Sequence, residues 1–276
     1  MLFRSEYNEK LEPVPSLASW KVSKDGKTYT YKLKEGLKWS DGVPITAQHF
    51  WDSWERLLNP KTASGYAYFL FDIEGAKEYS EGKILDPSTL GFRVLDSRTF
   101  QVKLKKRATY FATIPAFTVT FPIRKDLIEK YGRLWTEPEK MVVTGPFRLS
   151  AWKHDASIEM VPNPHYRGAR PRLEKVIAYI VKEDTTAISM FETGKIHYLS
   201  RLPALEIDRL RKNPAYRSLP YLRGYYYGFN VTKPPFDDVR VRKAFAHAID
   251  RAEITALLKG GQLPTSSWIQ IGRAHV

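Results

Sequence analysis

The 276-residue sequence contains no cysteine. That excludes disulfides, zinc–thiolate sites, iron–sulfur clusters and cysteine nucleophiles, while leaving the compartment open. No apolar run approaches the ~18 residues of a membrane-spanning helix. The phosphate loop GxxxxGK[ST], the dinucleotide fingerprint GxGxxG and the nucleophile elbow GxSxG are all missing. The six histidines (His49, His154, His165, His197, His247 and His275) are scattered, and no two share the helical spacing of metal ligands. Carboxylates are plentiful, but nothing singles out a catalytic pair, and Glu192, Asp237 and Asp238 suit helix surfaces or caps. The expectation is a protein with no catalytic residues, no metal and no cofactor.

Positive charge is abundant. Lys and Arg number 44 against 30 Asp and Glu, for a net charge of +14. One basic cluster comprises Arg93, Arg98, Lys103, Lys105, Lys106 and Arg107, and another comprises Arg201, Arg209, Arg211, Lys212 and Arg217. Acidic residues interleave much of the chain and no nucleic-acid-binding motif is present, so a solvated basic surface is expected. A nucleic-acid-binding protein is the competing class. With 43% hydrophobic and 27% charged residues, the composition is that of a globular protein. Most of its 7 Trp and 16 Tyr belong in a core. In the run Tyr225-Tyr226-Tyr227 a strand would place Tyr226 opposite its two neighbours, leaving one face to pack and the other free to line a cavity.

Periodicity outlines the elements. Residues 19–33 form a hairpin around Asp25-Gly26, with Tyr29, Tyr31 and Leu33 on the inner face. Thr46 caps a helix over 47–58 with apolar positions Phe50, Trp51, Trp54, Leu57 and Leu58, and Asn59-Pro60 stops it. Residues 92–104 form a second hairpin, with Phe100, Val102 and Leu104 on one face. Helices are expected over 125–132, 185–192, 205–211, from Asp238 to 248, and from Asp250 to Gly260-Gly261. Strands are expected over 145–149, 157–161, 176–181, 196–199 and 223–230. The fold class is mixed α/β (α+β), with more than one sheet.

Both termini look foreign. The last six residues, Ile271-Gly272-Arg273-Ala274-His275-Val276, translate a common sequencing-adapter strand. Met1-Leu2-Phe3-Arg4-Ser5 translates its reverse complement, with GTG as the start codon. Residues 1–5 and 271–276 are therefore expected to be adapter-derived, and 6 to about 270 an internal fragment of a longer gene. On that expectation, the lack of a signal pattern at the start says nothing about localisation.

Several segments resemble, in order and spacing, the peptide-binding branch of the family 5 solute-binding proteins, the extracytoplasmic receptors of bacterial ABC importers. They are Pro13-Val14-Pro15-Ser16-Leu17-Ala18, Thr28-Tyr29-Thr30-Tyr31-Lys32-Leu33, Leu37-Lys38-Trp39-Ser40-Asp41-Gly42-Val43-Pro44-Ile45-Thr46-Ala47, Asn59-Pro60-Lys61-Thr62-Ala63-Ser64, Val143-Thr144-Gly145-Pro146-Phe147, Asn163-Pro164-His165-Tyr166 and Pro235-Phe236-Asp237-Asp238-Val239-Arg240-Val241-Arg242-Lys243-Ala244. The Thr62-Ala63-Ser64 segment favours the oligopeptide receptors.

The resemblance implies a class II periplasmic binding protein, a bilobal three-domain receptor truncated here at both ends. Residues 6–123 would be the small extra domain, 124–222 part of the first lobe, and 223–270 the start of the second. It implies capture of an oligopeptide and delivery to permease subunits of an ABC importer. The protein would be a monomer, periplasmic or lipid-anchored, not membrane-spanning, and without nucleic acid. It places ligand contacts at Tyr66, Arg223 and Tyr226, and near Ser200 and Arg201. At Gly228, oligopeptide receptors can carry an acidic side chain. Within the family, a dipeptide, murein peptide, sugar or metal chelate is the alternative ligand; outside it, a hydrolase ranks below the nucleic-acid binder.

Overall fold

A computed structural model of the chain describes residues 5–7, 13–218 and 224–265. The adapter-like ends other than Ser5, and Arg223, lie outside them. The chain forms two compact units, residues 1–180 and 181–276.

In the first unit, β1 (Ser5–Tyr7) pairs antiparallel with β2 (Pro13–Pro15). The expected hairpin forms from β3 (Ala18–Val22) and β4 (Thr28–Leu33). Its tip needs glycine twice over. Gly26 takes φ +71°, and a Cβ there would lie 2.7 Å from Cγ of Arg107. Asp25 tightens the tip by accepting the Lys27 N–H at 3.0 Å.

Next come α1 (Ala47–Leu58) and the short α2 (Ala76–Ser80). The second hairpin, β5 (Phe92–Asp96) and β6 (Thr99–Lys103), completes a four-stranded antiparallel sheet in the order β3-β4-β6-β5. Period-2 patterning buries Tyr29, Tyr31 and Leu33 of β4 beside Phe100 and Val102 of β6.

The helical spacing of Phe50, Trp54, Leu57 and Leu58 lays α1 on that face. Trp54 is fully buried, edge-on to Phe92 at 5.7 Å, Phe100 at 5.4 Å and Phe111 at 6.3 Å. Its indole Nε1–H donates to the Thr120 carbonyl at 3.0 Å. The Tyr29 hydroxyl donates to the Ala108 carbonyl at 3.0 Å. These two bonds tie the 3₁₀ turns Thr109–Ala116 and Thr118–Thr120 over the core.

After α3 (Lys125–Tyr131), a separate antiparallel sheet runs β7 (Phe147–Lys153), β8 (Ser157–Pro162), β9 (Val176–Tyr179). The strand expected over 176–181 stops at Tyr179, and it lies at the sheet edge with Ile177 and Tyr179 exposed.

The second unit contains α4 (Asp184–Glu192), α5 (Ala204–Leu210), α6 (Val239–Ala248) and α7 (Arg251–Leu258). Ala187, Ile188, Ile207 and Leu210 are buried. The caps form where the sequence places them. Asp238 accepts the Arg240 N–H at 2.7 Å. Asp250 accepts those of Ala252 at 2.8 Å and Glu253 at 3.0 Å. Two expected strands do not form: residues 196–199 and 224–230 join no ladder among the described residues. A strand is defined by its neighbour, and β-forming side chains without a paired edge leave only irregular chain.

Trp54→Ala removes the ring that four segments share and the donor for Thr120. It should destabilise the first unit by about 3–5 kcal/mol, measured by urea unfolding. Trp54→Phe should cost less, because it keeps most of the volume and loses mainly the hydrogen bond.

Candidate functional site

Tyr66 owes its position to a tight reversal. Asn59 accepts the Lys61 N–H at 3.0 Å, and Ala63 then takes φ 49°, in the left-handed region. The Ser64 hydroxyl oxygen accepts the Tyr66 N–H at 3.3 Å. Tyr66 thus opens the 3₁₀ turn Ala67–Leu70, whose Ala67 and Leu70 anchor inward. Its own ring is 49% exposed and edge-on to Phe117 at 5.8 Å. Phe69 joins the group, 4.5 Å from Phe117 and stacked on the exposed Tyr68 at 4.6 Å. Here is a surface aromatic cluster with two phenolic hydroxyls, those of Tyr66 and Tyr68, suited to holding an apolar or peptide-like group. Sequence reasoning singled out Tyr66 alone. The density of rings over residues 66–71 was an available signal; Phe117 arrives only through the fold.

The other candidates belong to the second unit. Ser200 is exposed. Arg201 is exposed with Nε 3.9 Å from Asp184 Oδ2, so its charge faces a carboxylate on α4. Tyr226 is 66% exposed. The Tyr225 and Tyr227 rings are 6.1 Å apart and nearly perpendicular, although the strand expected to alternate this run does not form. The expected packing of one tyrosine face does not occur, because all three rings are exposed. A Cβ on Gly228 would meet only Tyr226 Cε2 at 3.8 Å, an ordinary contact, so nothing local demands glycine there.

Three of the motif segments meet elsewhere, in the first unit. Trp39-Ser40-Asp41-Gly42 makes a turn closed by the Gly42 N–H to the Trp39 carbonyl at 2.9 Å. Ser40 and Val143 exchange two bonds: the Ser40 N–H reaches the Val143 carbonyl at 2.9 Å, and the Val143 N–H reaches Ser40 Oγ at 3.1 Å. Asn163, buried, donates from Nδ2 to the Gly145 carbonyl at 2.8 Å and accepts the His165 N–H at 3.0 Å. Gly42, at φ +87°, leaves room for the His165 ring, whose Nε2 would lie 3.3 Å from a Cβ. Arg124, nearly buried, clamps the junction with Nη1 on Asp41 at 2.7 Å and a two-bond fork on Asp126 at 2.8 and 2.7 Å. Those bonds hold the Asp126 carboxyl below its ordinary value and raise the guanidinium's. The chemistry of these segments is that of a structural joint.

His49 borders this joint. Its Nδ1 accepts the Thr46 N–H at 3.0 Å, and its ring meets Trp39 edge-on at 5.4 Å. Burial first, then the Arg124 charge, push its pKa below 6.5, against the opposing pull of Asp52 and Asp126.

The basic clusters disperse on folding. Arg98 pairs with Glu35 at 2.6 Å, and Arg93 bonds Gln101 at 2.8 Å. Lys103 and Lys105 pair with Glu74 and Glu78, both at 3.1 Å. Arg209 sits between Glu192 and Glu206, and Arg211 donates to the Lys259 carbonyl at 3.0 Å. Among the described residues no cluster of His and carboxylates is arranged to hold a metal ion, and no helix is long and apolar enough to cross a membrane.

Comparison with known proteins covers most of the chain. The model for "Bacterial extracellular solute-binding proteins, family 5 Middle" matches residues 12–273. The "Probable deoxycholate-binding periplasmic protein YgiS" of Escherichia coli (strain K12) is 35% identical over 253 residues, 90% of this chain and 47% of that protein. The periplasmic oligopeptide-binding protein OppA of Salmonella typhimurium is 36% identical over 264 residues, 93% of this chain and 48% of that one. The solved structure of Burkholderia pseudomallei OppA superimposes with a TM-score of 0.86 at 32% identity, over 93% of this chain and 51% of the other. The chain spans about half the length of the curated relatives it matches.

The His49 environment predicts a pH dependence. At neutral pH both the folded and unfolded chains hold His49 uncharged. As pH falls below 6.5, the unfolded chain binds a proton that the folded one resists, so stability declines until the lower folded pKa is reached. Glutamine at this helix position can accept the same Thr46 N–H. Thr46 would therefore keep its partner in His49→Gln, and the fall in urea midpoint between about pH 7 and 5 should flatten.

Proposed function

The chain belongs to family 5 of the bacterial extracellular solute-binding proteins, and on that premise we propose that its gene product is the receptor of a peptide ABC importer. The carrying observation is a match of more than nine-tenths of this chain to an oligopeptide receptor at 36% identity. Residues 6–123 then form the small extra domain, 124–222 part of the first lobe and 223–270 the start of the second. The continuous core from Ala18 to Phe111 supports the first of these assignments.

The mechanism is capture. Two lobes close over an extended peptide by hinge motion. Main-chain hydrogen bonds supply affinity without reading side chains, and roomy hydrated pockets accept varied residues. Tyr66, in its exposed aromatic cluster, and Tyr226 present rings with a hydroxyl to the ligand, and the chain near Arg223 presents backbone. Ser200 and Arg201 fall by resemblance near a segment that lines the cleft. Gly228 removes the side chain that would face a cationic ligand group, which widens the accepted ligands. The closed receptor, a monomer held in the periplasm or by a lipid anchor, hands its peptide to the permease subunits. A second reading is supported by the similarity to a protein whose name specifies deoxycholate: the same aromatic surface would suit a rigid apolar solute.

Calorimetry on the complete gene product separates the two. Short peptides should bind and deoxycholate should not. Tyr66→Ala and Tyr226→Ala should each weaken peptide binding about fivefold or more. Unchanged affinity in both variants would remove these tyrosines from the site, and tighter binding of deoxycholate than of any peptide would replace the ligand.

A further inference from the structure

The tip of the first hairpin gathers cations that the chain order keeps apart. The Leu104 N–H bonds the Lys27 carbonyl at 2.8 Å, and Thr28 stands opposite Lys103. The Arg107 stem packs over Gly26. Lys24 and Lys27 of the tip therefore lie against Lys105, Lys106 and Arg107 beyond β6, with Lys21 close by on β3. All six are exposed.

The carboxylates of this end are Asp25, Asp72, Glu74 and Glu78, and Asp72, whose carbonyl accepts the Lys105 N–H, takes the Tyr110 hydroxyl on its carboxylate. Glu74 and Glu78 are engaged by Lys103 and Lys105. Asp25 accepts from the Ser23 hydroxyl and from the Lys27 N–H. No ion pair among the described residues engages Lys21, Lys24, Lys27, Lys106 or Arg107. Elsewhere the cations of the two sequence clusters are mostly matched by carboxylates or carbonyls, so this end carries a local positive excess.

We infer that this hairpin tip is a docking surface for the anionic phosphate headgroups of a lipid bilayer. Three observations favour lipid over nucleic acid. The cations cluster at a hairpin tip and the segment beyond β6 instead of running along the length of a helix or strand. The exposed ring of Tyr110 lies beyond Arg107 in the chain, with its hydroxyl held by Asp72, and is not interleaved between the cations as a stacking platform for bases would be. Val22, 45% exposed, stands among the lysines and can rest at the headgroup level. Each Lys or Arg near an anionic surface strengthens association about fivefold, and the attraction decays over a screening length of ~10 Å at 0.1 M salt. The tip would thereby orient the molecule on a membrane without any spanning segment. This inference rests on the geometry of the first unit alone and stands apart from the ligand assignment above.

The test is cosedimentation of the full chain with phosphatidylcholine vesicles, with and without phosphatidylglycerol, at about 0.1 M salt. Binding is expected only with phosphatidylglycerol, and raised salt should abolish it. The triple variant Lys24→Glu, Lys27→Glu, Lys106→Glu should lose about a hundredfold or more in affinity. These side chains make no contact that the fold needs, and an unchanged thermal melt verifies that. A control triple of equal charge change, Lys182→Glu, Lys195→Glu, Lys212→Glu, should retain binding within about twofold. Equal loss in the control would show attraction by net charge alone and overturn the proposal. So would the absence of vesicle binding by the parent chain, or tighter retention by duplex DNA than by the vesicles.

Discussion

The first unit depends on one buried ring. Trp54 occupies the place where α1, the second hairpin and the returning segment meet, and it is at once hydrophobic filler, edge-on partner and hydrogen-bond donor. Phe92 and Phe100 come from paired strands, and Phe111 comes from a turn beyond them. Helix, sheet and cover are held by a single side chain, so the surface features built on them inherit its rigidity. The exposed aromatic cluster around Tyr66 is one such feature: Ala67 and Leu70 hold its turn to the same core.

A second constraint lies at the joint of residues 39–42, 143–146 and 163–165. Its bonds are mostly between main chain and short polar side chains, which explains why its residue types are so particular. Serine exchanges two bonds with Val143, asparagine spans to a carbonyl, and glycine admits a histidine ring. Arg124 completes it with two carboxylates in a nearly buried setting, where planar fork geometry satisfies several acceptors at once. Family resemblance rests heavily on these segments, yet their work is architectural. The similarity therefore establishes the fold more directly than it establishes the ligand.

The contrast between elements that formed and those that did not is instructive. The hairpin of residues 18–33 was legible because its turn chemistry and its alternation agree. The segments 196–199 and 224–230 carry β-forming side chains as well, but the described residues offer them no edge. Tyr225-Tyr226-Tyr227 consequently keeps three exposed rings. The basic cluster of residues 93–107 shows the same limit for charge. Adjacent positions in sequence separate to opposite ends of β6, while Lys24 and Lys27 are brought in from a different hairpin.

Local chemistry was enough to place most helices, the caps at Asp238 and Asp250, both hairpins of the first sheet and its inward face. Those features depend on turn propensity, period and residue inventory, all of which act over a few positions. Tertiary structure alone assigned Phe117 to the ring cluster at Tyr66, Arg124 to Asp41 across 83 residues, His49 to a half-buried place near the Arg124 charge that disfavours its proton, and the unpaired cations to one hairpin tip. Each of these depends on which distant segments share a small volume of low dielectric or a common surface, a quantity that no local pattern encodes.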